Sequence, residues 1–531
     1  MLRTFAFSLV AALLVVTTTG CKGDPSTPEY WQKAMDKSPK VKDRVRVVED
    51  LRASDKVTPA FVPMLHTQLE KDKSSEVKGS IAKILAVTKS PDSVEPLTNA
   101  LDLGASEPAT NAMNKEITAA LAAIGDPKAI PTLMKLVNVK DNYVKIEAIN
   151  GLGALKAKQA VEKLVNIATD DNGEPFIAKK AIQALGEIGD ESAVPALTKM
   201  MFKERRGVSF YVESSFALYQ IGDKSADAML PIVEGKDKEL LAWANTAGLM
   251  EAALAAKAMQ VVGDLHDKRG EKAIIQKASY ENADYAVKLF VRMRAADALG
   301  RMRSKDGAKV LAGMLDEPEA NARAEYIRAL VKVGDPSTAP ALAKSAQQGS
   351  WDAREQAIKG LSLVGDERAI GDFEKLRAEE EKLTTAECKE DPEYAGCKEP
   401  AALVKKHVEI IVAHQKRLDA AKACKSDVGC WIQKLDDADA GVRERAALEL
   451  GRSGKVEAVE PLMKHLKEGN LDTRLAIIQA LDWLADDKAS GAKAKTMLAD
   501  LEKQIADEKG KTEFVKVNED LRRLSVKLKR S

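Results

Sequence analysis

The chain has 531 residues, of which 45% are hydrophobic and 31% charged. That composition excludes a disordered polyelectrolyte and leaves ample apolar surface for a core. Its 82 basic and 81 acidic residues give a formal net charge of +1, so no positive excess exists to neutralise a phosphate backbone and no nucleic acid partner is expected.

Residues 1–20 read as an export signal peptide: Arg3 is the positive start, Phe5 to Val16 the apolar run, and Thr17 to Gly20 the small-residue exit. The run is shorter than the roughly 20 residues that a permanent span needs. Thr19-Gly20-Cys21 resembles a bacterial lipobox, which implies a bacterial lipoprotein with Cys21 as its lipidation site (palmitate-type acylation) and new N-terminus. Residues 21–39 are polar and proline-containing and read as a tether. Lys22 after the cysteine implies, through the same resemblance, a cell-envelope location, lipid-anchored in the outer membrane and facing the periplasm. No later segment is expected to span a membrane, because Asn245, Glu251 and Lys257 interrupt the apolar stretch from Leu240 to Val262.

Residues 40–376 carry an internal repeat. The segment Leu121 to Leu133, with Ile124-Gly125-Asp126-Pro127 at its centre, recurs from Leu185 to Leu197 and from Leu330 to Leu342. Register marks fall at Lys89, Gly125, Lys156, Gly189, Gly222, Arg303, Gly334, Gly365, Gly454 and Ala485, with intervals of 31 to 33 residues between most neighbours. Upstream of each mark lies an amphipathic helix, such as Ala178, Ala181, Ile182, Leu185 and Ile188. The glycine is placed to end that helix in a left-handed conformation, and the following Asp to cap the next one. Asp126-Pro127 and Asp335-Pro336 pair a capping acid with a proline at the first helical position. The expected fold is an all-α, right-handed α-solenoid of stacked helical hairpins with a period of about 31–33. The Leu-Gly-x-Ile-Gly-Asp-x-x-Ala-Val-Pro-x-Leu pattern resembles short bacterial HEAT-like repeats, the type also found in phycobilin lyases.

The period breaks between Gly222 and Arg303, where His266 to Gly270 forms a polar turn, and again between Gly365 and Gly454. The second break, residues 377–435, holds Cys388, Cys397, Cys424 and Cys430 around a helix from about Pro400 to Ala423. A helix of that length spans roughly 36 Å, which separates Cys397 from Cys424. The expected disulfides are therefore Cys388–Cys397 and Cys424–Cys430, and no metal site is expected from their spacing. His407 and His414, seven apart on that helix, are expected on its surface. Repeats resume over 436–490, and 491–531 are expected to be capping helices with a basic end from Leu521 to Arg530.

No nucleophile elbow, phosphate loop or zinc-protease motif is present, so no catalytic residue, cofactor or metal is assigned and the chain is not expected to be an enzyme. The expected function is that of a membrane-anchored scaffold for protein–protein interaction. It would bind other envelope proteins or exported peptides on a concave face lined by the second helices. Chaperone- or lyase-like handling of a cofactor, by analogy with phycobilin lyases, and a purely structural envelope role are the alternatives.

Overall fold

The computed structural model describes residues 23–104, 107–508 and 515–530, and divides the chain into two compact units, 1–193 and 194–531. The expected signal peptide and Cys21 lie outside the described residues. Each unit is an all-α solenoid of stacked helical hairpins, with one departure. Glu204–Arg205 and Val208–Ser209 form a minute antiparallel ribbon. Its turn residues, Arg206 and Gly207, both have positive φ, the conformation that matches the twist of a two-residue hairpin.

The repeat is built as its sequence dictates at the turns. In the first unit the helices Ser75–Thr88, Pro108–Ile124, Asn142–Ala154 and Pro175–Ile188 stack as successive first helices. Lys89, Gly125, Lys156 and Gly189 follow them with φ of 50°, 77°, 50° and 72°, so the mark is a left-handed position that lysine also occupies. The next Asp does not cap an α-helix directly. Asp126 accepts from Lys128 N at 2.7 Å and so closes a single 3-10 turn, Pro127–Ala129, from which the second helix Ile130–Leu136 continues. In the second unit Asp335 does the same with Ser337 N at 2.9 Å.

Three marks depart. Gly222 has φ 92° with ψ −134°, Gly365 is extended at φ −63°, ψ 156°, and Ala485 remains helical at φ −68°. Conversely, His266 is a mark that the spacing hides. It has φ 54°, follows the helix Glu251–Asp264, and precedes Asp267, which caps the turn Lys268–Gly270 through Arg269 N at 2.9 Å. The segment 251–278 is therefore a complete hairpin and not a break in the pattern.

First helices of the second unit are Tyr211–Ile221, Glu251–Asp264, Tyr285–Arg301, Ala320–Val333, Trp351–Val364, Ala440–Ser453 and Leu471–Leu484. Their contact seams use small residues. A Cβ added at Gly263 would lie 2.8 Å from Ala298 Cα, and one at Gly300 2.9 Å from Ala329 Cα. The insertion consists of Ile370–Glu390 and Pro400–Cys424 packed together. Cys388 is bonded to Cys397 with Cα atoms 5.4 Å apart, and Cys424 to Cys430 at 5.3 Å.

Past the insertion, two arginines rejoin the array. Arg445 donates to the carbonyls of Ser362 at 2.8 Å and Gly365 at 3.1 Å, and Arg452 to those of Leu363 at 3.0 Å and Val331 at 2.5 Å. These guanidiniums satisfy helix-end carbonyls that the helices themselves leave unbonded, which explains why Gly365 needs no left-handed cap. Burial pushes the Arg445 guanidinium down to about 10 against the pull of Glu449.

The glycine seams give a test with opposite signs at two helical positions. Gly300→Ala drives a Cβ into backbone and is expected to destabilise the chain by about 1–3 kcal/mol. Gly371→Ala, where an added Cβ meets nothing, is expected to stabilise it slightly through helix propensity. Chemical-denaturation midpoints of the two variants check both signs.

Candidate functional site

The second unit contains a partly open cavity of about 560 Å³. Its walls are faces of first helices: Phe290, Met293, Arg294, Asp297 and Arg301 from 285–301, Glu325, Arg328 and Lys332 from 320–333, and Leu475, Ile478, Gln479 and Asp482 from 471–484. Steps of three and four residues put each set on one side of its helix. The last wall is the C-terminal helix Val515–Arg530, which contributes Lys516, Asp520 and Arg523. The cavity is thus lined mainly by first helices, whereas the sequence reading places the binding face on second helices. The cause is the stacking, which brings first helices together along the inner wall.

The C-terminal helix is held by two stripes. Val517, Leu521, Leu524 and Leu528 are fully buried, and the helix packs on 471–484, Lys488–Lys495 and Leu498–Glu508. Its cations reach residues 259 to 311 positions upstream. Arg523 pairs with Asp264, Arg530 donates to the Tyr219 carbonyl and lies 4.6 Å from the Tyr219 ring, and Tyr219 Oη donates to Arg523 O at 3.1 Å.

Two charge clusters result. In the first, Arg301 bridges Asp264 and Asp297 at 3.0 Å each, and Lys332 Nζ lies 2.6 Å from Asp297. Burial opposes the Asp297 charge, yet Lys332 and Arg301 hold its carboxyl well below the usual range. In the second, His266 Nε2 is 3.1 Å from Asp482, His266 Nδ1 2.7 Å from Asp486, and Lys527 Nζ 2.7 Å from Asp486 and 3.2 Å from Asp482. Burial and Lys527 both push the imidazole down, but the two aspartates outweigh them and raise it above its ordinary value.

None of these groups stands out in the sequence, where each looks like part of a solvated helix face. The readable signal was the spacing of Arg294, Asp297 and Arg301 on one side of a helix whose opposite side is Ala- and Gly-rich. The four cysteines lie away from the cavity, and no group of three His, Cys, Asp or Glu among the described residues could hold a metal ion.

The surface expectation for His407 and His414 is corrected, because both are buried. Their helix packs that side against 351–364 and 370–390. His407 stacks on Trp351 with centroids 3.6 Å apart, and its Nδ1 lies 2.9 Å from Glu380, whose carboxylate takes Arg354 at 2.8 and 3.1 Å. Burial and Arg417 lower the His414 imidazole to about 3.

The family model for HEAT repeats matches residues 62–144, 107–178, 136–209, 312–387 and 431–508, together more than half of the chain. The chain belongs to the HEAT-repeat family. A curated relative, deoxyhypusine hydroxylase of Schizosaccharomyces pombe, is 22% identical over 271 residues, covering 51% of this chain and 80% of its own. The solved human deoxyhypusine hydroxylase in complex with glycerol is 18% identical and covers 51% of this chain and 95% of its own, with a TM-score of 0.21. The karyopherin Kap121p bound to the SUMO protease Ulp1p is 12% identical, covering 94% and 69%, with a TM-score of 0.48.

Two expectations are corrected. The chain was not expected to be an enzyme, but the hydroxylase shows catalysis in a relative, so the HEAT-repeat assignment does not support that exclusion. The lipid-anchored outer-membrane location is likewise withdrawn. The anchor on which it rests, Cys21, lies outside the described residues, and no helix of the described residues is long and apolar enough to cross a membrane.

The charge clusters yield two expected outcomes. Asp264, with a side chain 1% exposed, neutralises Arg301 and Arg523 together, so Asp264→Asn is expected to cost about 3 kcal/mol in denaturant unfolding. His266 has a folded pKa above its unfolded value of about 6.5. Its contribution is therefore complete below that pH and fades as pH rises through the folded value. His266→Gln is expected to lower stability most near pH 5.5 and least at alkaline pH. A loss that grows with pH would contradict the cluster.

Proposed function

We propose that the chain is a protein-binding HEAT solenoid whose C-terminal unit takes a segment of a partner protein into the cavity between helices 285–301, 320–333, 471–484 and 515–530. The observation that carries this reading is Phe290. It remains 39% exposed at the cavity, beside Met293 and Leu475, within a frame of charged side chains. A large apolar group framed by polar ones is the usual composition of an interaction centre, where burying the ring excludes water and the surrounding charges set register. Partners are protein segments, consistent with the general use of stacked helical repeats as extended binding surfaces.

Photo-crosslinking tests this. A photoreactive residue at Phe290 or Leu475 of the full chain is expected to capture the same partner, whereas one at Val412, 41% exposed on the insertion, is not. Phe290→Glu is expected to abolish capture without unfolding the chain. Equal capture from all three positions would overturn the reading.

A second reading is favoured by the cavity's size. About 300–1,000 Å³ is the usual range for small-molecule sites, and 560 Å³ falls inside it. Handling of a small molecule or cofactor, with or without chemistry upon it, would then be the activity. Native mass spectrometry of the mildly purified full chain would show an added mass that Phe290→Glu removes.

A further inference from the structure

The charge arrangement around the cavity restricts what kind of segment it can take, an inference that rests on the partner-binding reading. Six arginine and lysine side chains line the cavity, and five of them have a carboxylate partner within salt-bridge distance. Arg294 is the exception: among the described residues it has no carboxylate partner. It is half-buried, and its guanidinium lies 5.5 Å from the centroid of the exposed Phe290 ring.

The acids show the converse. Asp264, Asp297 and Asp482 are each held by cations or an imidazole from other elements, and Glu325 and Asp520 by cations on their own helices. An incoming cation would thus find no uncommitted carboxylate and would have to break an existing pair. An incoming carboxylate would find one guanidinium with its donors free, in a partly desolvated setting where a two-pronged arginine–carboxylate pair is stronger than an exposed one. The cation–π geometry places that guanidinium and the apolar ring side by side. One segment can therefore satisfy both, with an apolar side chain on Phe290 and Met293 and an acid about one helical turn away.

We propose that this cavity selects acidic amphipathic segments of partner proteins, with Arg294 as the residue that reads the carboxylate and Phe290 as the apolar anchor. Lys516 and Arg328 extend the preference. Their pairs with Asp520 and Glu325 are made within one helix, and their side chains are about half exposed at 52% and 55%, so those pairs are weak and can exchange.

The test selects random 12-residue peptides displayed on phage against the full chain, then measures the enriched peptides by fluorescence anisotropy on the wild type, Phe290→Glu, Arg294→Glu and Arg294→Ala. Thermal unfolding of each variant confirms that it is folded. The expected result is an enriched set carrying Asp or Glu next to a large apolar residue. Binding should fall at least tenfold for Arg294→Glu, less for Arg294→Ala, and be restored on Arg294→Glu when lysine replaces the peptide acid. Enriched peptides that need Phe290 but are neutral or basic, or that ignore Arg294, overturn this inference and leave the partner-binding reading standing. Peptides that bind Phe290→Glu as well as wild type, or no enrichment at all, overturn both.

Discussion

The second unit depends on one set of buried ion pairs: Asp264 with Arg301 and Arg523, and Asp482 with His266 and Lys527. A helical solenoid makes contacts mainly between sequence neighbours, so nothing in the repeat itself brings residue 523 to residue 264. The C-terminal helix does so by presenting cations on one side while its leucines are spent on the final repeats. Burying such charges is expensive, and the gain is large only because each acid meets more than one cation in fixed geometry. Removing a single partner leaves the other charges stranded, which makes the closure all-or-none. A row of leucines at the same interface would bind as strongly but would tolerate slippage along the groove. Charges at 523, 527 and 530 fix the axial position of the helix against named partners.

A second constraint acts at the insertion. A repeat array interrupted by two long helices has lost its stacking neighbour, and the break must be bridged or the core is exposed on both sides. Arg445 and Arg452 bridge it by binding the carbonyl ends of helices 351–364 and 320–333, so the repeat after the insertion docks by polar anchoring as well as by its apolar face. The insertion is in turn locked to the repeat helix 351–364. Glu380 and His407 of the insertion are almost fully buried, Glu380 pairs with both Arg354 and His407, and the Trp351 indole covers the imidazole. The sequence patterns that look least like the repeat are therefore tied to it by buried polar contacts.

Most of the fold was legible because hairpin turns leave local signals. Gly125, Gly189, Gly334 and their aspartates announce a left-handed position and a cap within a few residues, and the apolar spacing of the helices does the rest. His266 escaped because it falls out of step with the marks at Gly222 and Arg303 on either side; only Asp267, still capping, betrayed the turn. The cavity was not legible for a different reason. Asp264, Asp297, Arg301, Asp482 and Arg523 come from four helices and acquire meaning only when the C-terminal helix crosses to residues 259 or more positions earlier. On its own helix each has the pattern of a solvated face, and composition offers no contrast, since basic and acidic residues are nearly equal in number. The burial of His407 and His414 was hidden in the same way, by a neighbour that only the insertion's fold supplies.

Closure and recognition are linked through charge balance. The cations and acids that hold the C-terminal helix saturate one another and leave the cavity nearly neutral except at Arg294. Had the closure been apolar, Asp264 and Asp482 would each lose one of the cations that hold them. With those acids paired, selectivity is concentrated at one guanidinium and the ring beneath it. The HEAT architecture does not determine what is bound. What distinguishes this chain is how its interior charges are spent. That pattern is set by the placement of a few residues on helix faces that the repeat motif leaves free to vary.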